Sequence, residues 1–165
     1  MAENLSKVCS ILDKLMLETL MLIEKYIDLK INLETTMCDG EAHLAKSRYI
    51  MGQNCVSALQ LPIKDSAEFP AIATVHSHDD GKFGGKSFDL EFEKNPKNEN
   101  GESFDPLRWF GILVPQDLHR AQMKYKQAVT WSVECANLQM EIHQNLVKIK
   151  QLKDYKLECS TNKEE

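Results

Sequence analysis

LSKVCSILDKLMLETLMLIEKYIDLKINLETTM, residues 5–37, decides the fold. Leu5, Leu12, Thr19, Tyr26 and Leu33 fall on one position of a seven-residue repeat, and Val8, Leu15, Leu22, Leu29 and Thr36 on a second. Eight of these ten are apolar, which predicts a long helix with a coiled-coil seam. Cys9, Met16, Ile23 and Met37 lie one place beyond the second position and widen the stripe, as expected of a helix that packs against more than one partner. A helix over residues 3–37 would be roughly 50 Å long, more than a compact domain of this size needs.

Cys38-Asp39-Gly40 follows, and the glycine predicts a break or kink near 38–40. Glu41 to Met51 then reads as a shorter helix closing at Gly52. At the other end of the chain Ala121, Tyr125, Ala128, Trp131, Cys135, Leu138, Ile142, Leu146, Ile149 and Leu152 recur every three or four residues. They predict a second long helix over 116–157, roughly 60 Å in length. Leu118 to Lys156 carries seven Lys/Arg against three Asp/Glu, and Met1 to Met37 four against six. Opposed charges favour antiparallel pairing of the two.

The middle differs. Residues 62–104 hold Pro62, Pro70 and Pro96, nine acidic and five basic residues, and no helical period. Ala71 to His76 and Ser87 to Glu93 alternate like two strands, with Phe88, Leu90 and Phe92 on one face, and read as a solitary hairpin in a mobile loop. Lys94 to Ser103 has the composition of a disordered segment. Beyond it, Asp105-Pro106-Leu107-Arg108-Trp109-Phe110-Gly111-Ile112-Leu113-Val114-Pro115 is the one long apolar run outside the helices. Asp105 reads as an N-cap with proline at the first helical position, and Gly111 and Pro115 keep that helix short. Its large side chains either close the core of the hairpin or face a partner.

The expected fold is therefore all-α: an elongated antiparallel coiled-coil hairpin of two long helices, with a shorter helix and a partly disordered middle loop holding a β-hairpin. Its expected parts are an N-terminal helical arm (1–61), the polar loop (62–104), an apolar docking motif (105–115), the C-terminal long helix (116–157) and a disordered tail (158–165). A dimer formed through the coiled coil is a further expectation.

Composition narrows the function. With 20 basic and 25 acidic side chains the formal charge is −5, which provides no overall basic field for nucleic acid. Five widely spaced cysteines without a CxxC indicate neither a disulfide framework nor a zinc site, and suit a reducing compartment. The first residues lack a signal-peptide pattern, and no run of about 18 apolar residues occurs, so membrane contact is expected only through a partner. His76-Ser77-His78-Asp79-Asp80 could begin a metal site, since alternate strand residues share a face. The other histidines, His43, His119 and His143, lie on predicted helices with no evident route to it, so solvated histidines are the simpler reading and a metal-dependent hydrolase built on His76 and His78 the alternative. Gly81-Lys82-Phe83-Gly84-Gly85-Lys86 is out of register with a phosphate-binding loop. Cys9 and Cys135 fall on apolar helix faces and read as inert core thiols. No catalytic set and no cofactor site is expected.

Asp105-Pro106-Leu107-x-Trp109-Phe110-Gly111-Ile112-Leu113-Val114-Pro115-x-x-Leu118 followed by Ala121-Gln122, together with Leu44-Ala45-Lys46-x-Arg48-Tyr49-x-Met51-Gly52, resembles the coiled-coil-domain-containing assembly factors of the vacuolar-type proton ATPase. The two motifs cover about a sixth of the chain. Ser47 stands where the family often has alanine and His119 where an arginine is expected, and the resemblance does not extend to residues 62–104. The resemblance implies a non-enzymatic chaperone, peripheral on the cytosolic face of the endoplasmic reticulum. It would work with a membrane-embedded assembly factor on subunits of the pump's membrane sector, and so serve endosomal and lysosomal acidification. Arg48, Tyr49, Leu107, Trp109, Phe110, Gly111, Ile112, Leu113 and Val114 are the expected partner-binding residues. A prefoldin-like holdase subunit is the alternative with a similar layout.

Overall fold

The computed structural model describes residues 2–64, 66, 68–79, 85–94, 96–97, 101 and 103–161, with helical side chains described from Leu5 to Cys159. Two long helices, α1 (Ala2–Met51) and α2 (Gln116–Thr161), flank a two-stranded sheet of β1 (Ala73–Asp79) and β2 (Lys86–Phe92). Single 3₁₀ turns cover Ala58–Gln60 and Pro106–Phe110. The chain is mostly helical with a small antiparallel sheet. Among the described residues no helix is long and apolar enough to cross a membrane.

All ten heptad positions of α1, from Leu5 to Thr36, are buried or half-buried. The repeat continues through Gly40, His43 and Ser47, which are withdrawn from solvent in the same register. Thus α1 has no break near 38–40, and the expected shorter helix is its last part. The physical reason is packing: a Cβ on Gly40 would lie 3.3 Å from Cζ of Tyr125, so the glycine makes room for a ring on α2. The helix ends where Gly52, at φ 93°, donates its N–H to the carbonyl of Arg48 at 2.9 Å. The buried hydroxyls of Thr19 and Ser47 donate to the carbonyls four residues earlier, so neither is left unsatisfied.

The α2 seam holds Ala121, Ala128, Cys135, Leu138 and Ile149, as its period predicts. One residue is displaced: Leu146 is exposed, and Asn145 is buried in the seam instead. The helix also runs on to Thr161, so part of the expected tail is helical, and residues 162–165 lie outside the described residues.

The chain divides into two compact units. The first comprises Met1–Lys30, Ser77–Phe88 and Glu134–Glu165. There the hairpin is docked on α2: Nδ2 of Asn137 donates to the carbonyl of Phe88 at 2.8 Å, and its Oδ1 accepts from the Phe88 N–H at 2.7 Å. Gly85 is pressed against Gln144 so closely that any Cβ would collide with the amide. The hairpin exists as expected but is held by a helix, and its first strand lies two to three residues later than Ala71 to His76. Phe88, Leu90 and Phe92 share the half-buried face, while β1 is exposed throughout.

The second unit comprises Ile31–His76 and Asp89–Val133. Asp39 pairs with Lys124, Gly40 faces Tyr125, and His43 and Lys46 meet Asp117, so the two helix segments run antiparallel here. Of residues 94–103, Lys97 and Ser103 form an isolated antiparallel bridge, and the Phe104 N–H donates to Pro96 at 2.8 Å. The remainder of that stretch expected to be disordered (95, 98–100, 102), like the turn residues 80–84, lies outside the described residues.

Candidate functional site

The second unit contains every residue of the two motifs. Asp105 caps the turn that follows it, its carboxylate accepting from the Leu107 N–H and from Nε2 of Gln122, each at 3.1 Å. Pro106 fixes the first position of this turn, and Gly111, at φ 137°, ends it in a conformation that side-chain-bearing residues rarely adopt. Pro115 leads into α2, with the Leu118 N–H donating to its carbonyl at 3.0 Å. Both ends of the 105–115 segment are thereby fixed.

What lies between sorts into two kinds of side chain. Leu107 is buried with Val56 and Leu118, and Leu44, Met51, Phe110 and Val114 pack around them. Trp109 is half-buried, its ring edge-on to Phe69 at 5.3 Å and to Phe104 at 5.7 Å, and those two phenylalanines stack on each other. Leu107, Trp109, Phe110 and Val114 therefore spend their apolar surface inside the unit. Ile112 and Leu113 do the reverse, at 99% and 92% exposure, and Tyr49 is 91% exposed. Arg48 is exposed but directed, its Nε donating to the carbonyl of Val56 at 3.0 Å. Arg48 and Tyr49 border a recess of about 730 Å³ that Gln53 and Val56 also help to line. A second, almost wholly apolar cleft of about 430 Å³ lies between Leu44, Ile72, Phe92, Phe110, Tyr125 and Val129.

A polar cluster pins this end of the helices. Asp117, in the first turn of α2, is buried; it accepts from Nδ1 of His43 at 3.0 Å, pairs with Lys46 at 3.2 Å and lies 3.7 Å from Arg120. Burial pushes its carboxyl pKa up, but the hydrogen bonds and charges of Lys46 and His43 outweigh this and hold it below the ordinary carboxylate value. Asp39 is lowered too, by the hydrogen bond and charge of Lys124 at 2.7 Å. Burial raises Tyr125.

His76 and His78 both lie on the exposed strand β1, with Nε2 of His76 3.9 Å from the carboxylate of Glu91. Among the described residues no three His, Cys, Asp or Glu side chains gather as metal ligands would. Cys135 is buried and Cys9 half-buried. Sequence reasoning missed the roles of Phe69, Phe104 and the His43–Asp117 pair. The two phenylalanines stand beside Pro70 and Asp105 in an otherwise polar stretch, and that isolation was the available signal.

No family model matches the chain. Curated relatives do: the vacuolar ATPase assembly protein VMA22 of Homo sapiens is 32% identical over 151 residues, covering 79% of this chain and 83% of that protein. The protein of the same name from Danio rerio is 30% identical over 149 residues, covering 67% of this chain and 72% of its own length. This chain belongs to the VMA22 family of vacuolar ATPase assembly proteins. A third VMA22, from Mus musculus, is 27% identical over 150 residues and covers 80% of this chain. In this VMA22-family chain the two motifs form one unit, with a buried set that builds it and an exposed set, Tyr49, Ile112 and Leu113, left over.

Proposed function

We propose that this VMA22-family chain is a non-enzymatic assembly chaperone that promotes assembly of the membrane sector of the vacuolar-type proton ATPase, and hence organelle acidification. It acts as a peripheral protein on the cytosolic face of the endoplasmic reticulum, where its two long helices pair as a coiled-coil hairpin. The 105–115 segment, with Arg48 and Tyr49, docks on a membrane-embedded assembly factor, which brings the chain to the pump's membrane-sector subunits. The observation that carries this reading is the exposure of Ile112 and Leu113, between the turn that Gly111 ends and the α2 start at Pro115. Two large aliphatic side chains held almost fully in water, side by side, are what a protein contact uses. The names of the relatives support the assembly role.

Replacing both residues, Ile112→Asp with Leu113→Asp, tests the docking assignment. The variant is expected to keep its helicity and melting temperature while co-purification of the membrane-embedded partner from cells falls at least about tenfold. Undiminished recovery of that partner would mean the contact lies elsewhere. Recovery of unrelated clients without pump subunits, by the unmodified chain, would overturn the assembly role itself in favour of a general holdase.

A further inference from the structure

In the first unit α1 carries a second stripe beside its buried seam. Leu12, Leu15, Thr19, Leu22, Tyr26 and Leu29 are buried or half-buried, and each is followed directly by a residue that faces solvent: Asp13, Met16, Leu20, Ile23, Ile27 and Lys30. One residue is about 100° of helix, so the second set is an unbroken line with the same alternating three- and four-residue spacing, turned to one side. Its four inner members are large and apolar, and all four keep a good part of their surface in solvent: Met16 44%, Leu20 62%, Ile23 38% and Ile27 52%. A 3-4 repeat of apolar residues on a helix is the pattern that knobs-into-holes packing requires.

The charges at its ends identify the occupant. Read in one direction the line is acid, four apolar residues, base; read in the other it is base, four apolar residues, acid. Two copies laid antiparallel about a twofold axis between Leu20 and Ile23 therefore match layer for layer. Met16 meets the other copy's Ile27, Leu20 meets its Ile23, and Asp13 meets its Lys30 at both ends. Parallel pairing would instead set Asp13 against Asp13 and Lys30 against Lys30, which repel. The Lys30 ammonium lies 5.4 Å from its own Tyr26 ring. Asp13 and Lys30 are about 26 Å apart along the helix, with the apolar part from Met16 to Ile27 about 17 Å of it. We infer that this face is the antiparallel homodimer surface of the protein, closed by reciprocal Asp13–Lys30 pairs. It lies in the other unit from Ile112 and Leu113, so the inference stands apart from the docking assignment.

Sedimentation equilibrium of the full chain at micromolar to submillimolar concentration tests it. The expected result is a reversible dimer. Leu20→Glu should raise its dissociation constant at least about a hundredfold. Asp13→Lys or Lys30→Asp alone places like charges together twice and should raise it roughly tenfold; the two combined exchange the signs and should return it to within about threefold of the original. Circular dichroism of each variant checks that α1 still forms, since all three positions are exposed. A chain that stays monomeric throughout, or a dimer indifferent to Leu20→Glu, overturns the surface. Single charge variants without effect, or a double variant weaker than either, overturn the antiparallel register.

Discussion

The two halves of α1 do opposite things with the same heptad. From Leu5 to Leu33 the seam is filled almost entirely by large apolar side chains, and further apolar residues remain exposed beside it. From Thr36 onward the seam positions are Gly40, His43 and Ser47, small or polar, and the large apolar contacts come from elsewhere: Val56, Leu107, Phe110 and Leu118. A helix can thus keep one register along its whole length while changing what it packs against. Where the seam residues are large, they are themselves buried or half-buried; where they are small, Tyr125 reaches in over Gly40, and Leu44 and Met51 pack with Leu107 and Phe110.

The sharpest way to break this contrast is Leu107→Ala. If the polar half of α1 depends on apolar side chains supplied from outside the helices, deleting this buried one should cost about 3 kcal/mol in urea-induced unfolding, from lost transfer energy and the cavity left behind. A cost under about 1 kcal/mol would mean the helix pair alone holds that half. Gly40→Leu imports the residue type that the first half uses, and the ring of Tyr125 already occupies the space. Overpacking should cost about 2 kcal/mol despite leucine's better helix propensity, read from the same measurement. Stabilisation instead would show that the Tyr125 ring yields freely.

Acid should separate the halves more gently. The pKa values of Asp117 and Asp39 are lowered in the folded chain, so their contribution to stability is fully present above the unfolded carboxylate value, near about 4. It is lost as pH falls through the lower folded values. Stability should therefore drop below that pH, and Asp117→Asn should flatten the drop in a pH series of thermal melts. An unchanged slope would remove Asp117 from the account. The smallest effect is expected at the exposed end of the contrast: Ile112→Asp with Leu113→Asp should alter stability by no more than about 0.5 kcal/mol, since neither side chain is covered by the protein. A larger loss would turn a docking surface into a structural one.

The heptad of α1 was legible because periodicity is a local signal, written every three or four residues. Gly40 was not, because its reason lies on Tyr125, far along the chain, and glycine read alone suggests a stop. Leu146 and Asn145 show the same limit at the scale of one residue: hydropathy favours the leucine for the seam, whereas the helix's register puts the asparagine there. In the 105–115 segment the cap, the proline start and the glycine end could be read from residue type, since each rests on backbone geometry. The division of its apolar residues between the interior and solvent could not. Whether Trp109 is covered depends on Phe69 and Phe104, two side chains from a stretch with no period to announce them.

Asn137 gives the hairpin an unusual neighbour. Its amide presents an acceptor to the N–H and a donor to the C=O of Phe88, as a residue of an adjoining strand would. A helix side chain thus stands in for a third strand at one point. Because both bonds come from a single rotor on α2, rolling the helix by even one residue would strip them together. With Gly85 pressed against Gln144 as well, the hairpin's seat is tied to the azimuth of α2.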